Sequence, residues 1–363
     1  MRTAGKSCAI YRCEEVKRLL KKAAVVLAWI CMCAGVGCGA KQTKNITVYT
    51  PDGAPAMAFV KMMQEAKDGV EYRVVNPTLI ATKVTNDDEK KNADICVLPV
   101  TAASKLFGSG ERYQALGVLT NGNLYLLSKD ENLISTFTAN GYKDLSYLLG
   151  KTVGVMKIND MPGLTFKWIL NDYGLPWQEI GNDGKIQTDK VNLKAITDAT
   201  AIDAADTGVA CYVVAEPAAT VQVNKKGFTS VCSLETLYYK GEVPTNVYAG
   251  YPQALLLAKR SLLQEKSDWV KSFMEDLRQS TTHLNSGAMD GTTIVETVKS
   301  NLEDKAYATT LNAGVLTSDV IARCGVRFTE SRDCKQAVIE YLQKISTVDE
   351  KVKKVNDLFF HLS

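Results

Sequence analysis

Residues Gly208–Thr220 read GVACYVVAEPAAT. A short apolar run rich in β-branched and aromatic residues halts at Glu216 and Pro217, then gives way to alanines. Such a run, bounded by Gly and Pro, predicts a buried strand. Pro217 suits the first position of a following helix, where its missing N–H costs nothing, and Glu216 is favourable near the positive end of that helix. A second reading is functional. In open α/β sheets ligands bind beyond the carboxyl ends of the strands, where loops and helix N-termini converge, so the carboxylate faces a ligand. Both readings demand an α/β sheet around this strand.

The same plan recurs. ADICVLPVTAASKLF (93–107) is a strand ending in Pro before a small-residue helix start, as is GVACYVVAEPAATVQV (208–223). ITVYTPDGAPAMAFVKMM (46–63) and KTVGVMKINDMPGLTFKWIL (151–170) form a second matched pair, each a strand, a loop and a helix. The two types alternate along the chain, which predicts two similar lobes that each give two loops to one cleft. GNLYLLSKD (122–130) and YPQALLLAKRSLL (251–263) follow the first and second pairs as strand runs that cross between lobes. From Leu262 onward, helix-period segments such as SDWVKSFMEDLRQSTTHL (267–284) and CKQAVIEYLQKI (334–345) predict helices that return to cover lobe one. A length of 363 residues fits two lobes. Apolar and charged fractions of 46% and 23% exclude a disordered chain.

Lys17, Arg18, Lys21 and Lys22 precede the uncharged stretch Ala23–Gly37, AAVVLAWICMCAGVG, then Cys38, Gly39 and Ala40. This is a secretory signal pattern over residues 1–37, with an apolar core too short to span a bilayer comfortably. Gly37 before Cys38 resembles a bacterial lipobox, although Gly35 stands where leucine is usual. Cys38 is then the acylated residue, carrying palmitate-like chains and tethering the protein to an extracytoplasmic membrane face. Residues 1–37 hold seven Lys/Arg and two Asp/Glu, so of 43 basic and 40 acidic residues the rest keeps 36 and 38, a net of −2. No concentrated basic face remains to mark a nucleic-acid partner. Cys96, Cys211, Cys232, Cys324 and Cys334 also remain. An odd number leaves at least one free, Cys96 and Cys211 read as small core residues, and a Cys324–Cys334 bridge stays open.

The signal and lipobox, VYTPDGAPA, ADICVLPVTAASKL, GNLYLLS, GKTVGV, VAEPAAT and YPQALLLAK together resemble the type II periplasmic binding proteins, the substrate-binding components of ABC importers. They are most similar to the branch that binds sulfonates, nitrate and thiamine pyrimidines. The resemblance implies an α/β, two-lobed fold with two crossing strands and a helical C-terminal extension. Its parts would be 38–129 (lobe one), 130–250 (lobe two) and 251–363 (second crossing and helical return). It also implies a monomer that hinges over a small molecule and delivers it to permease and ATPase subunits.

The loops and crossings nominate the ligand-binding residues Tyr49, Asp52, Gly53, Thr101, Asn123, Tyr125, Asp160, Thr165, Glu216, Tyr248 and Tyr251. Several have structural readings: Asp52 before Gly53 in a turn, Thr101 and Asp160 as helix caps. Asp52, Asp160 and Glu216 face only Lys157 among these loops, a balance that favours a flat heteroaromatic bearing amino groups or positive charge, such as thiamine or its aminopyrimidine precursor. The alternatives are a small anion such as an aliphatic sulfonate or nitrate, which would need buried donors to meet its charge, and an enzyme on the same fold. The loops hold no histidine to act as general base, no glycine-rich phosphate loop occurs, and no zinc spacing is present, so catalysis, a cofactor and a metal are not expected.

Overall fold

Twelve of the apolar runs pair into two sheets of six strands. The computed structural model describes residues 45–65, 67–197, 202, 208–244 and 250–362. The predicted signal at 1–37, Cys38 and Tyr248 lie outside the described residues.

The first sheet holds β1 (Ile46–Pro51), β2 (Val70–Val75), β3 (Ile95–Pro99), β4 (Tyr113–Asn121), β11 (Pro252–Lys259) and β12 (Val326–Glu330). Its order is β2-β1-β3-β11-β4-β12, with β1, β2 and β3 parallel and β11 antiparallel to both neighbours. The second holds β5 (Leu124–Ser128), β6 (Thr152–Met156), β7 (Trp177–Glu179), β8 (Val191–Ile196), β9 (Cys211–Ala215) and β10 (Thr229–Ser233). Its order is β7-β8-β6-β9-β5-β10, again a parallel set closed by an antiparallel strand, β5. Setting β1 against β6, β2 against β8, β3 against β9 and β11 against β5 superposes the two orders. The repeated sequence plan is therefore a repeated topology. Parallel strands covered on both faces must be apolar throughout, and β3 and β9 are.

The chain leaves the first sheet at Asn121, enters the second at Leu124 and returns to the first as β11. Helices then cover the first sheet: Ser267–Asn285 packs on β12 and on the helix Val60–Glu65, while Ser331–Ser346 packs on β4. The helix Ser331–Ser346 also reaches the helix Met161–Asp172 behind β6, so it touches both sheets' helical layers. Buried side chains from both sheets join there in one continuous apolar cluster. The five cysteines from Cys96 on are free thiols, Cys324 and Cys334 included. Among the described residues no helix is long and apolar enough to cross a membrane.

Candidate functional site

The strand crossing brings four segments to one place. Asn121 N–H donates to the Gly325 carbonyl (2.9 Å), and Glu216 N–H donates to the Asn123 carbonyl (2.9 Å). Asn123 Nδ2 donates to the Cys324 carbonyl at 3.2 Å, and its Oδ1 accepts from Gln253 Nε2 at 2.6 Å. A Cβ on Gly122 would stand 3.1 Å from the Tyr251 ring, so glycine lets that ring lie against the backbone. Gly250 has φ of 93°, and a Cβ there would stand 3.0 Å from Asn121 Cβ and 3.1 Å from Glu235 Oε1. Both the dihedral and the close contacts disfavour a side chain at Gly250.

Three buried polar atoms at this crossing lack a partner among the described residues: Asn121 Nδ2, Tyr251 Oη and Gln253 Oε1. Asn121, Tyr251 and Gln253 are all more than nine-tenths buried. An unpaired buried donor or acceptor costs about 1–3 kcal/mol, so such groups are retained where something else completes them. Tyr251→Phe is accordingly expected to raise the unfolding free energy of the ligand-free protein by about 1 kcal/mol while weakening ligand capture. Denaturant titration alongside ligand calorimetry checks it, and a loss of stability would show the hydroxyl to be paired.

The nominated residues divide. Asn123, Tyr125, Glu216 and Tyr251 meet at the crossing. Burial pushes the Tyr125 phenol far up, with the Glu216 charge adding to it. Glu216 directly follows β9 and its peptide to Pro217 is cis. Its carboxylate accepts from Thr220 N (3.0 Å), Thr220 Oγ1 (2.8 Å) and Arg323 Nε (2.9 Å). The strand thus stops at a carboxylate that pins the first turn of its own following helix and holds an arginine from the other lobe.

Asp52, nominated as ligand-binding, accepts from Tyr307 Oη, Thr309 Oγ1, Thr310 N and Thr310 Oγ1 at 2.6–3.2 Å. It fixes the loop that follows the helix Gly291–Ser300, and Gly53 starts its helix beside Thr310 with φ of 101°. Tyr49 donates to Glu303 (2.9 Å) and accepts from Arg73 (2.7 Å) at the β1–β2 edge, where burial and Glu303 push its phenol up to about 12. Thr101 is buried in the first turn of the helix Val100–Phe107, without a cap bond. Asp160 is exposed at the start of the helix Met161–Asp172 and makes no cap bond. Thr165 is buried and bonds the Met161 carbonyl and the Tyr341 hydroxyl.

Sequence reasoning missed Glu235, Arg323, Arg327, Tyr238 and Tyr341. Arg323 closes the helix Ser318–Arg323 and Arg327 lies in β12. The expectation of Lys157 as the lone basic group is therefore corrected: two arginines reach the crossing from the C-terminal return, over 100 residues beyond the loops that suggested the site. Glu235 sits in the first turn of the helix Leu234–Tyr238, with Ser233 as its cap. Burial raises its carboxyl above the usual range and lowers the Arg327 guanidinium, each offsetting the other in part.

Behind the crossing the rings of Tyr251 and Tyr341 stack at 5.9 Å and 13°, Tyr238 packs on Tyr251 at 5.1 Å, and Trp168 on Tyr238 at 4.8 Å. Lys344 Nζ lies 4.6 Å from the Trp168 ring and 4.4 Å from the Tyr238 ring. The lobes therefore meet through a buried aromatic joint as well as two strands.

Two α/β sheets of similar topology, joined by crossing strands, match the folds of known structures. A crystal structure of an ABC transporter from Parabacteroides distasonis aligns with TM-score 0.64 and 19% identity, over 88% of this chain and 99% of that one. The periplasmic aliphatic sulphonate binding protein SsuA of Escherichia coli aligns with TM-score 0.53 and 12% identity, over 86% and 95%. The fold is that of the periplasmic binding proteins. The ligand-binding component of an ABC-type import system from Staphylococcus aureus, solved with zinc bound, aligns with TM-score 0.53 and 12% identity over 88% and 96%. No protein-family model and no curated protein sequence matches the chain. Among the described residues no three His, Cys, Asp or Glu side chains gather to hold a metal. The three unsatisfied atoms lie where the crossing strands join the two sheets.

Proposed function

We propose that the protein is the extracytoplasmic substrate-binding component of an ABC importer, tethered through Cys38 and handing its ligand to permease and ATPase subunits. The observation that carries this reading is the set of unsatisfied buried atoms on Asn121, Tyr251 and Gln253 where the two lobes join. A fold built from two lobes has its natural capture site at that junction. The ligand is a small flat heteroaromatic bearing amino groups, with thiamine or its aminopyrimidine precursor as the type. Tyr125 and Tyr251 supply aromatic faces, the unsatisfied groups supply both donors and acceptors, and Glu235 supplies negative charge.

A second reading, a small anion such as an aliphatic sulfonate or nitrate, draws support from Arg323 and Arg327. It is weaker because Arg323 already pairs with Glu216 and Arg327 lies beside Glu235. Calorimetry of protein freed of ligand by unfolding and refolding, titrated with thiamine, aminopyrimidine, riboflavin, taurine and nitrate, separates the two. Heat from taurine or nitrate alone would reverse the order of the readings, and heat from none would remove both.

A further inference from the structure

Three carboxylates stand out near the strand ends, and their surroundings differ in kind. Asp52 accepts four hydrogen bonds and Glu216 three, all from this chain. The Glu235 carboxylate accepts none among the described residues. It is half-buried, and its desolvation outweighs the attraction from Arg327 in β12. Tyr125 from β5, Tyr251 before β11 and Tyr239 just past the end of its own helix lie within reach of its charge. The point 3.1 Å from Glu235 Oε1 and 3.0 Å from Asn121 Cβ is kept clear because residue 250 is glycine. A carboxylate without hydrogen bonds thus adjoins an amide donor and a phenol that also lack partners.

We propose that Glu235 is the acidic determinant of ligand choice: its carboxylate accepts an N–H of the ligand, while Asn121 Nδ2 and Tyr251 Oη donate to an acceptor on the same molecule. The class that satisfies all three is a small nitrogen heterocycle or amide carrying an N–H beside an oxygen or ring nitrogen. A charge-assisted bond to a desolvated carboxylate is the strong member of such a set, and an analogue lacking the N–H leaves that carboxylate unmet. The proposal rests on the reading of the crossing as a capture site.

The test is calorimetry of the parent and of Glu235→Gln with two panels: thiamine, aminopyrimidine, cytosine and adenine in one, taurine, methanesulfonate and nitrate in the other. At least one member of the first panel is expected to bind the parent and to bind Glu235→Gln at least about tenfold more weakly. The ligand-free melting temperature of Glu235→Gln is expected not to fall, since the amide removes a buried charge, and this separates lost recognition from lost folding. Undiminished affinity in Glu235→Gln, or binding of anions alone, overturns the role of Glu235 and leaves the capture site standing. Binding of no compound in either panel overturns both.

Discussion

Tyr341→Ala is expected to cost about 3–5 kcal/mol of unfolding free energy, the range for removing a fully buried aromatic side chain. Tyr341 has no exposed surface, stacks on Tyr251, contacts Tyr238 at 6.3 Å and bonds Thr165 Oγ1 at 2.7 Å. Its helix packs on the first sheet while its ring meets Tyr251, just before β11, and side chains of the helices Leu234–Tyr238 and Met161–Asp172 that follow β10 and β6 of the second sheet, so the cavity would open where the two lobes share a core. Tyr341→Phe keeps the stack and loses one hydrogen bond, since Thr165 retains the Met161 carbonyl, and should cost about 1 kcal/mol. Guanidinium denaturation of both variants measures the pair. A loss below about 1 kcal/mol for Tyr341→Ala would mean that the joint is not the packed element described.

That joint also shows where sequence reasoning stopped. A free hinge requires a small, wet contact between the lobes, and the alternating strand–loop–helix plan gave no reason to expect otherwise. Local patterns carry the topology well, because the apolar runs ending in Pro99 and Glu216 and the loops after Pro51 and Met156 are statements about backbone that each segment makes alone. The segment CKQAVIEYLQKI likewise announces a helix with one apolar face. Its periodicity says nothing of which groove that face fills, and Tyr341 and Lys344 reach across to Trp168 and Tyr238 only through the tertiary fold.

The charges fail for the same reason. Glu216 was conspicuous as a carboxylate closing an apolar strand, and it does lie at the crossing, but its counter-ion is 107 residues away. Asp52 finds its donors in Tyr307, Thr309 and Thr310, more than 250 residues further on. Glu235, embedded in the ordinary helical stretch SLETLYY, carried no signal at all: only the approach of Gly250 and Asn121 gives it a role. Residue types at strand ends locate a site. Which of them remain unsatisfied is decided by partners that the sequence places far away.

The Glu216–Arg323 pair yields the second large effect. Glu216 directly follows β9 of the second sheet and its side chain is 3% exposed, whereas Arg323, 41% exposed, closes a helix that packs against the first lobe's helical cover. Arg323 Nη2 also donates to Thr220 Oγ1 at 3.0 Å, so the guanidinium grips the carboxylate and the hydroxyl that caps it. Arg323→Ala leaves a buried carboxylate with Thr220 as its only donor. Breaking a fully buried pair costs about 3–5 kcal/mol, and solvent around the guanidinium moderates this, so a loss of about 2 kcal/mol is expected. Glu216→Gln should cost less, because it removes the charge that would otherwise be stranded, and adding Arg323→Ala to it should cost little more. A double-mutant cycle is therefore expected to give a coupling of about 1–2 kcal/mol between the two sites. Hydrogen exchange should quicken in Ala218–Lys226 for Arg323→Ala, because the lost contact joins the two lobes at the first turn of that helix. Strict additivity in the cycle, with exchange in Ala218–Lys226 unchanged, would reduce the pair to a surface contact with no part in holding the lobes together.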